Sequence, residues 1–329
     1  MTPDAVALTV VGEALVDVVH RADGSVDEAP GGSPANVALA LGRLGWHPRL
    51  ITALGDDDRG RRVRDWLAES GVIVEATSIP RTSTAVARLD ASGSAEYEFD
   101  LDWRISAVDG AGAAASGDHP SAGGVTGGIV HVGSVAVHLE PGASAVREIV
   151  AAARSRSLIT FDPNIRPSLL ADHAAAEQRV EALVTQCDVV KVSDEDLRWL
   201  RPDQDPIEVA SEWATRGPAL VVVTAGAGGA VAVTPAGQVR AASVAVSVVD
   251  TVGAGDTFMA ALIHGLLQLG VRSADQRSAL ATLSTADLGE LLETAAAAAA
   301  ITVSRPGADP PRLSELTHSL SRATSASPR

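Results

Sequence analysis

The stretch LITFDPNIRPSLLADHAAAEQRVEALVTQCDVVKVS, residues 158–193, decides the fold. It opens on a strand-length apolar run, LITFDPN (158–164), and closes on another, DVVKVS (188–193). Between them HAAAEQRVEALVTQ (173–186) has helical periodicity. Two apolar strands joined by a helix form a crossover unit, which connects parallel strands. A strand that is apolar nearly throughout is covered on both faces.

The same rhythm extends in both directions. Strand candidates are ALTVVGEALVDVV (7–19), RLITALG (49–55), IVHVGSVAV (129–137), ALVVVTAG (219–226) and AVAVTPAG (230–237). Helix candidates are PANVALALGRLG (34–45), GRRVRDWLAESG (60–71) and ASAVREIVAAARS (143–155), and the Ala295–Ala300 run belongs to a long helix reaching about Thr302. The pattern predicts an α/β fold with a central, mainly parallel sheet and helices on both faces. One section departs from it. TAVARLDASGSAEYEFDLDWR (84–104) reads as two alternating strands around a small-residue turn, a hairpin that the segment around 18–29 can join. Residues 110–128 read as a Gly/Ala/Ser-rich loop, and SLSRATSASPR (319–329) as a disordered tail.

Composition narrows the function. The 329 residues are 46% hydrophobic but only 3% aromatic, so the core must be built from Val, Leu, Ile and Ala. A formal net charge of −15 argues against a nucleic-acid or anionic-membrane partner. A single cysteine, Cys187, excludes an internal disulfide and a cysteine zinc cluster, and its apolar setting predicts a buried small hydrophobe. No run of about 18 apolar residues suggests a membrane span. The start, with Asp4 and no basic segment, is unlike a signal peptide, so a soluble, cytoplasmic protein is expected. The sole lysine is Lys191; arginine supplies the other positive charges.

The chemistry gathers at DTVGAGDTFMAAL, residues 250–262. Val248-Val249 reads as a strand end, Gly253-Ala254-Gly255 as a sharp turn, and Asp256 as the opening of an apolar helix. A small-residue turn into a helix aims unpaired N–H groups and the positive end of the helix dipole at an anion, phosphate above all. Asp256 beside such a hole is either a helix cap or a general base for an alcohol attacking a phosphoryl group. Spacing leaves the two open. A second cluster, APGGSPANVALALGRLG (29–45), repeats the turn-to-helix form, with Gly31-Gly32 for close backbone approach and Asn36 able to donate and accept. The chain has no G-x-x-x-x-G-K-[ST] loop, which excludes a P-loop NTPase, and no full G-x-G-x-x-G, which disfavours a dinucleotide oxidoreductase.

These two motifs, more than 200 residues apart and in the same order, resemble those of the ribokinase/fructokinase (PfkB) family of carbohydrate kinases, over roughly residues 6–310. The resemblance implies a ribokinase-like kinase domain over residues 1–318, with a β-sheet lid from about 13–33 and 84–104. It implies ATP-dependent transfer to a sugar hydroxyl, fructose first, 2-keto-3-deoxygluconate next and ribose or a nucleoside after them; a non-catalytic sugar- or nucleotide-binding protein is the competing reading from another class. By position Asp256 matches the catalytic base, and the backbone of Gly253, Ala254 and Gly255 the anion hole. Asp17, Gly31, Gly32 and Asn36 match sugar ligands. TAGAGG (224–229) resembles the nucleotide segment, placing Thr224, Gly226 and Gly229 near ATP. FDPNIRP (161–167) resembles a stretch that puts Asn164 and Arg166 between sugar and phosphates. ATP and Mg²⁺ are the implied cofactors, with Asp196 near the metal. Potassium is left open, Asp250 and Ser304 lying where its ligands are expected. Small-molecule sugar is the expected partner, and a homodimer through the lid the expected assembly. Two departures stand out. The family's N-x-x-E motif falls on Ser193-Asp194-Glu195-Asp196, and the lid carries SAEYEFDLDWR in place of G-E-R-x-F.

Overall fold

A computed structural model of the protein describes residues 6–21, 23–89, 95–105 and 127–326. The crossover unit predicted for 158–193 is present as β9 (Leu158–Asp162), α4 (His173–Val184) and β10 (Val189–Ser193), and β9 and β10 pair in parallel. Around it runs a nine-stranded sheet. From one edge the order is β13 (Gly237–Ala241), β12 (Ala230–Thr234), β11 (Leu220–Thr224), β10, β9, β8 (Ile129–Gly133), β1 (Leu8–Val11), β4 (Arg49–Gly55) and β5 (Ile73–Ile79). All pairs are parallel except β11–β12 and β12–β13.

Successive residues along one strand serve opposite faces. Val10 and Val189 belong to one apolar cluster, Val11 and Val190 to the other. The first cluster packs α1 (Ser33–Arg43), α2 (Asp58–Ala68), α7 (Ala254–Gln268) and α9 (Thr285–Val303) on the sheet. The second packs α3 (Gly142–Ala153), α4, α5 (Asp194–Leu200) and α6 (Pro206–Ala214). Aliphatic residues dominate both, and Cys187 is buried among them as expected.

The apolar run 7–19 is not one strand. β1 ends at Val11, and β2 (Leu15–His20) starts a second sheet ordered β3 (Val26–Gly31), β2, β6 (Thr84–Leu89) and β7 (Ala95–Asp100). The break lies at Gly12, where a Cβ would collide with Pro34 at the start of α1. The expected hairpin is present as the antiparallel β6–β7 pair, its turn lying outside the described residues. Arg59 and Arg62 of α2 both bind Glu28 of β3 and fasten the small sheet to the large one.

Other expectations need correction. Residues 319–326 are not a tail but the second half of α10 (Leu313–Ala326), held by buried Leu316 and half-buried Leu320 one turn apart. Val248-Val249 ends no strand. Residues 242–248 have no ladder partners, and Val248 is 62% exposed. Strands β5 and β13 carry too little apolar signal to be read from sequence, because both are half-covered edges. The loop expected at 110–128 lies outside the described residues up to 126.

Candidate active site

Helix α7 starts two residues earlier than expected, at Ala254, with Gly253 as its N-cap. Gly253 has φ 74°, the left-handed region that favours glycine, and a Cβ there would lie 2.6 Å from Ala308. A glycine cap has no side chain, so none caps α7. Ala254 N–H reaches the Thr251 carbonyl at 3.3 Å, and the next amides, Gly255 and Asp256, have no intrahelical acceptor. The anion hole expected from Gly253–Gly255 is thus shifted toward the Gly255 and Asp256 amides.

Asp256 does not cap its helix. Its carboxylate is gripped by α1: Ser33 Oγ donates to Oδ1 at 2.7 Å, and Asn36 Nδ2 donates to Oδ2 at 2.8 Å. Burial raises its pKa, the Ser33 and Asn36 hydrogen bonds oppose that, and the Asp162 charge adds to it. A carboxylate of raised basicity, fixed by two donors, is suited to take a proton. The first turn of α1 follows Gly32 (φ 101°), so two helix N-termini converge on this carboxylate.

Three cavities meet at the turn, and Thr251 and Gly255 line all of them. The first, about 510 Å³, is walled by Thr224, Gly226, Gly229, Val244, Phe258 and Ala300 and is mostly apolar. The second, also about 510 Å³, holds Glu13, Asp17, Asn36, Asn164, Arg166 and Asp256. The third joins them past Asn164, Arg166, Lys191 and Asp196. The residues expected near sugar and near nucleotide therefore separate into two chambers, with Asp256 on the wall of the second and its neighbour Gly255 on the walls of both. Arg166 and Asn164 line both the second chamber and the joining cleft. Gly31 is needed because a Cβ would run into the Asp17 carboxylate. Burial raises the Asp17 pKa to about 6 against the opposing charge of Arg166.

Two expected metal residues have other partners. Asp196 Oδ1 accepts Ile165 N–H at 3.0 Å, and Oδ2 accepts Ser193 N–H at 3.4 Å in a capping box that opens α5. Asp250 accepts N–H from Val252 at 3.0 Å and from Gly307 at 2.8 Å, so it anchors the turn to the 303–307 loop. The Ser304 hydroxyl donates to the Ile301 carbonyl. Glu140 is a loop acid outside these cavities, accepting Ser144 N–H and pairing with Arg147.

Sequence reasoning missed three residues. Lys191 is buried, pairs with Asp162 at 2.9 Å, and its Nζ lies 2.9 Å from where a Gly255 Cβ would be. Burial alone would lower its pKa, but the charge and hydrogen bond of Asp162 outweigh that and leave it raised, so the ammonium stays charged. Its signal was a lone lysine within an apolar strand of an arginine-rich chain. Ser33 and Glu13 had no signal beyond adjacency to Gly32 and Gly12.

A two-sheet α/β body with an acid at a glycine turn between two chambers defines a phosphotransferase of the sugar-kinase kind. The chain belongs to the pfkB family of carbohydrate kinases, whose family model matches residues 7–315. A fructokinase of Rhizobium leguminosarum bv. trifolii is 35% identical over 262 residues, covering 78% of each chain. The crystal structure of an ATP-bound fructokinase from Xylella fastidiosa superposes with TM-score 0.84 at 25% identity, covering 97% of this chain and 99% of that one. A Vibrio cholerae fructokinase crystallised with fructose, ADP and calcium gives TM-score 0.78 at 27% identity, covering 97% and 100%. Among the described residues no helix is long and apolar enough to cross a membrane.

Proposed function

We propose that the protein is a fructokinase that transfers the γ-phosphoryl group of MgATP to a hydroxyl of fructose, with Asp256 as general base. The observation that carries this is the Asp256 carboxylate in the acid-lined chamber, one residue from Gly255, which lines both that chamber and the apolar one. Sugar occupies the acid-lined chamber and nucleotide the apolar one. Asp256 accepts the hydroxyl proton, the oxygen attacks the γ-phosphorus, and the bond to the ADP oxygen breaks. The Gly255 and Asp256 amides, Lys191 and Arg166 face the charge on the phosphates. A chain of net charge −15 needs such local positive potential to admit ATP.

Magnesium enters with the nucleotide. Among the described residues no group of three or more His, Cys, Asp or Glu is placed to hold a metal. That suits an ion coordinated mainly by phosphates and water. Asp196 and Asp250 then serve the site as a cap and an anchor.

The acceptor chamber favours a neutral ketose over a sugar acid. Glu13, Asp17 and Asp256 share it with one guanidinium, Arg166, so a carboxylate on the ligand meets net repulsion. The small sheet acts as the lid, since Leu15, Ala85 and Phe99 line the same chamber. The homodimer through the lid rests on family resemblance, and the cytoplasmic location on the sequence expectation alone.

A coupled assay of ADP release over fructose, tagatose, ribose, 2-keto-3-deoxygluconate and adenosine tests the assignment. Fructose should give the highest kcat/KM, with ATP turnover low until sugar is added. A higher kcat/KM on 2-keto-3-deoxygluconate, or ATP turnover indifferent to sugar, would overturn it.

A further inference from the structure

Glu13 stands at the corner between β1 and β2, on the wall of the acceptor chamber, and is 6% exposed. The Ser134 hydroxyl donates a hydrogen bond to its carboxylate, and Oε2 has no hydrogen-bond partner in the protein. Burying an unpartnered carboxylate oxygen is costly, and nothing in the fold around this corner needs one. Ser134 itself is held at φ 56°, the left-handed region, one of two non-glycine residues with positive φ among the described residues. The other, Asn164, lines the same chamber. Strain of this kind persists where surrounding structure over-determines it, and it gathers at binding sites. Asn36 repeats the arrangement on the neighbouring wall: its amide nitrogen serves Asp256, while its Oδ1 is buried without a partner. The chamber thus offers two unmatched acceptors, and a polyol supplies hydroxyl donors.

We propose that Glu13 is a substrate-binding, specificity-determining residue whose Oε2 accepts a hydroxyl of the acceptor sugar while Ser134 holds the other oxygen. The proposal rests on the reading that this chamber takes the sugar. Burial pushes the Glu13 carboxyl up to about 7; Ser134 and Arg166 oppose that and the Asp256 charge assists it. A donated sugar hydroxyl pulls in the same direction as Ser134. Binding of sugar therefore relieves a group that the empty fold holds at a disadvantage.

The test compares Glu13→Met and Glu13→Gln with the parent chain, by calorimetric titration of fructose without nucleotide and by steady-state kinetics. Loss of a hydrogen bond to a charged group corresponds to about 10-fold or more in affinity. Glu13→Met should raise the fructose Kd and KM by at least that factor, change kcat less than about threefold, and leave the ATP KM unchanged. Its Tm should equal or exceed the parent's, because an unpartnered buried carboxyl has been removed. Across the monodeoxy fructoses, one analogue should bind both variants as it binds the parent. Parent-like fructose affinity in Glu13→Met, or an equal loss on every analogue with a lowered Tm, would overturn the proposal. A parent chain that binds no neutral ketose in the same titration would instead defeat the sugar reading of the chamber, independently of the variants.

Discussion

Asp196 and Asp256 are both the third residue of their helices, and both have a pKa raised chiefly by burial. Their fates differ because their N-caps differ. Ser193 offers a hydroxyl, so Asp196 closes a reciprocal capping box and is tied to the backbone of its own helix. Gly253 offers nothing, so Asp256 is left for α1 to hold through Ser33 and Asn36, more than 200 residues away in the chain. One acid stabilises its own helix, and the other, held by α1, is the one proposed as the base. A single missing side chain at the cap separates structure from chemistry.

The largest test of this contrast is Asp256→Asn. It keeps the shape and removes the base, so kcat should fall at least ~10²-fold while nucleotide affinity is kept. A near-normal kcat would erase the distinction between the two acids. Ser33→Ala is a smaller, directional test. The Ser33 hydrogen bond lowers the Asp256 pKa, so its loss raises it. The acidic limb of the kcat–pH profile should move up by about one pH unit, the scale of a single hydrogen bond at ~1.4 kcal/mol. A limb that stays in place or moves down would show that another group titrates. Smallest is Ser193→Ala, which opens the capping box. It should lower stability by about 1 kcal/mol, a Tm drop of a few degrees, and leave kcat within about twofold. Loss of activity with Tm intact would mean that Asp196 takes part in the reaction after all.

The parts legible in advance share one property. Strand and helix alternation, the β6–β7 hairpin and the two glycine turns are local patterns, set by residues within a few positions of one another. The misplaced parts depend on distant neighbours. Asp250 and Asp196 looked like cation ligands until their oxygens were traced to backbone N–H groups. Lys191 read as an interior strand residue, and its role appears only when Asp162 and Gly255 come beside it. The second half of helix α10 read as a disordered tail, since half-buried Leu320 counts for little until the first apolar cluster receives it.

Sequence alone determined the layered α/β architecture, the small-residue turn at 253–255 and the placing of an acid directly after it, because periodicity, glycine and small-residue turns act over short range. Tertiary structure decided which acids are free, which are capped and which lie buried without partners. Those outcomes turn on hydrogen bonds between segments far apart in the chain, and burial and charge act through space, whatever the order of residues along the chain.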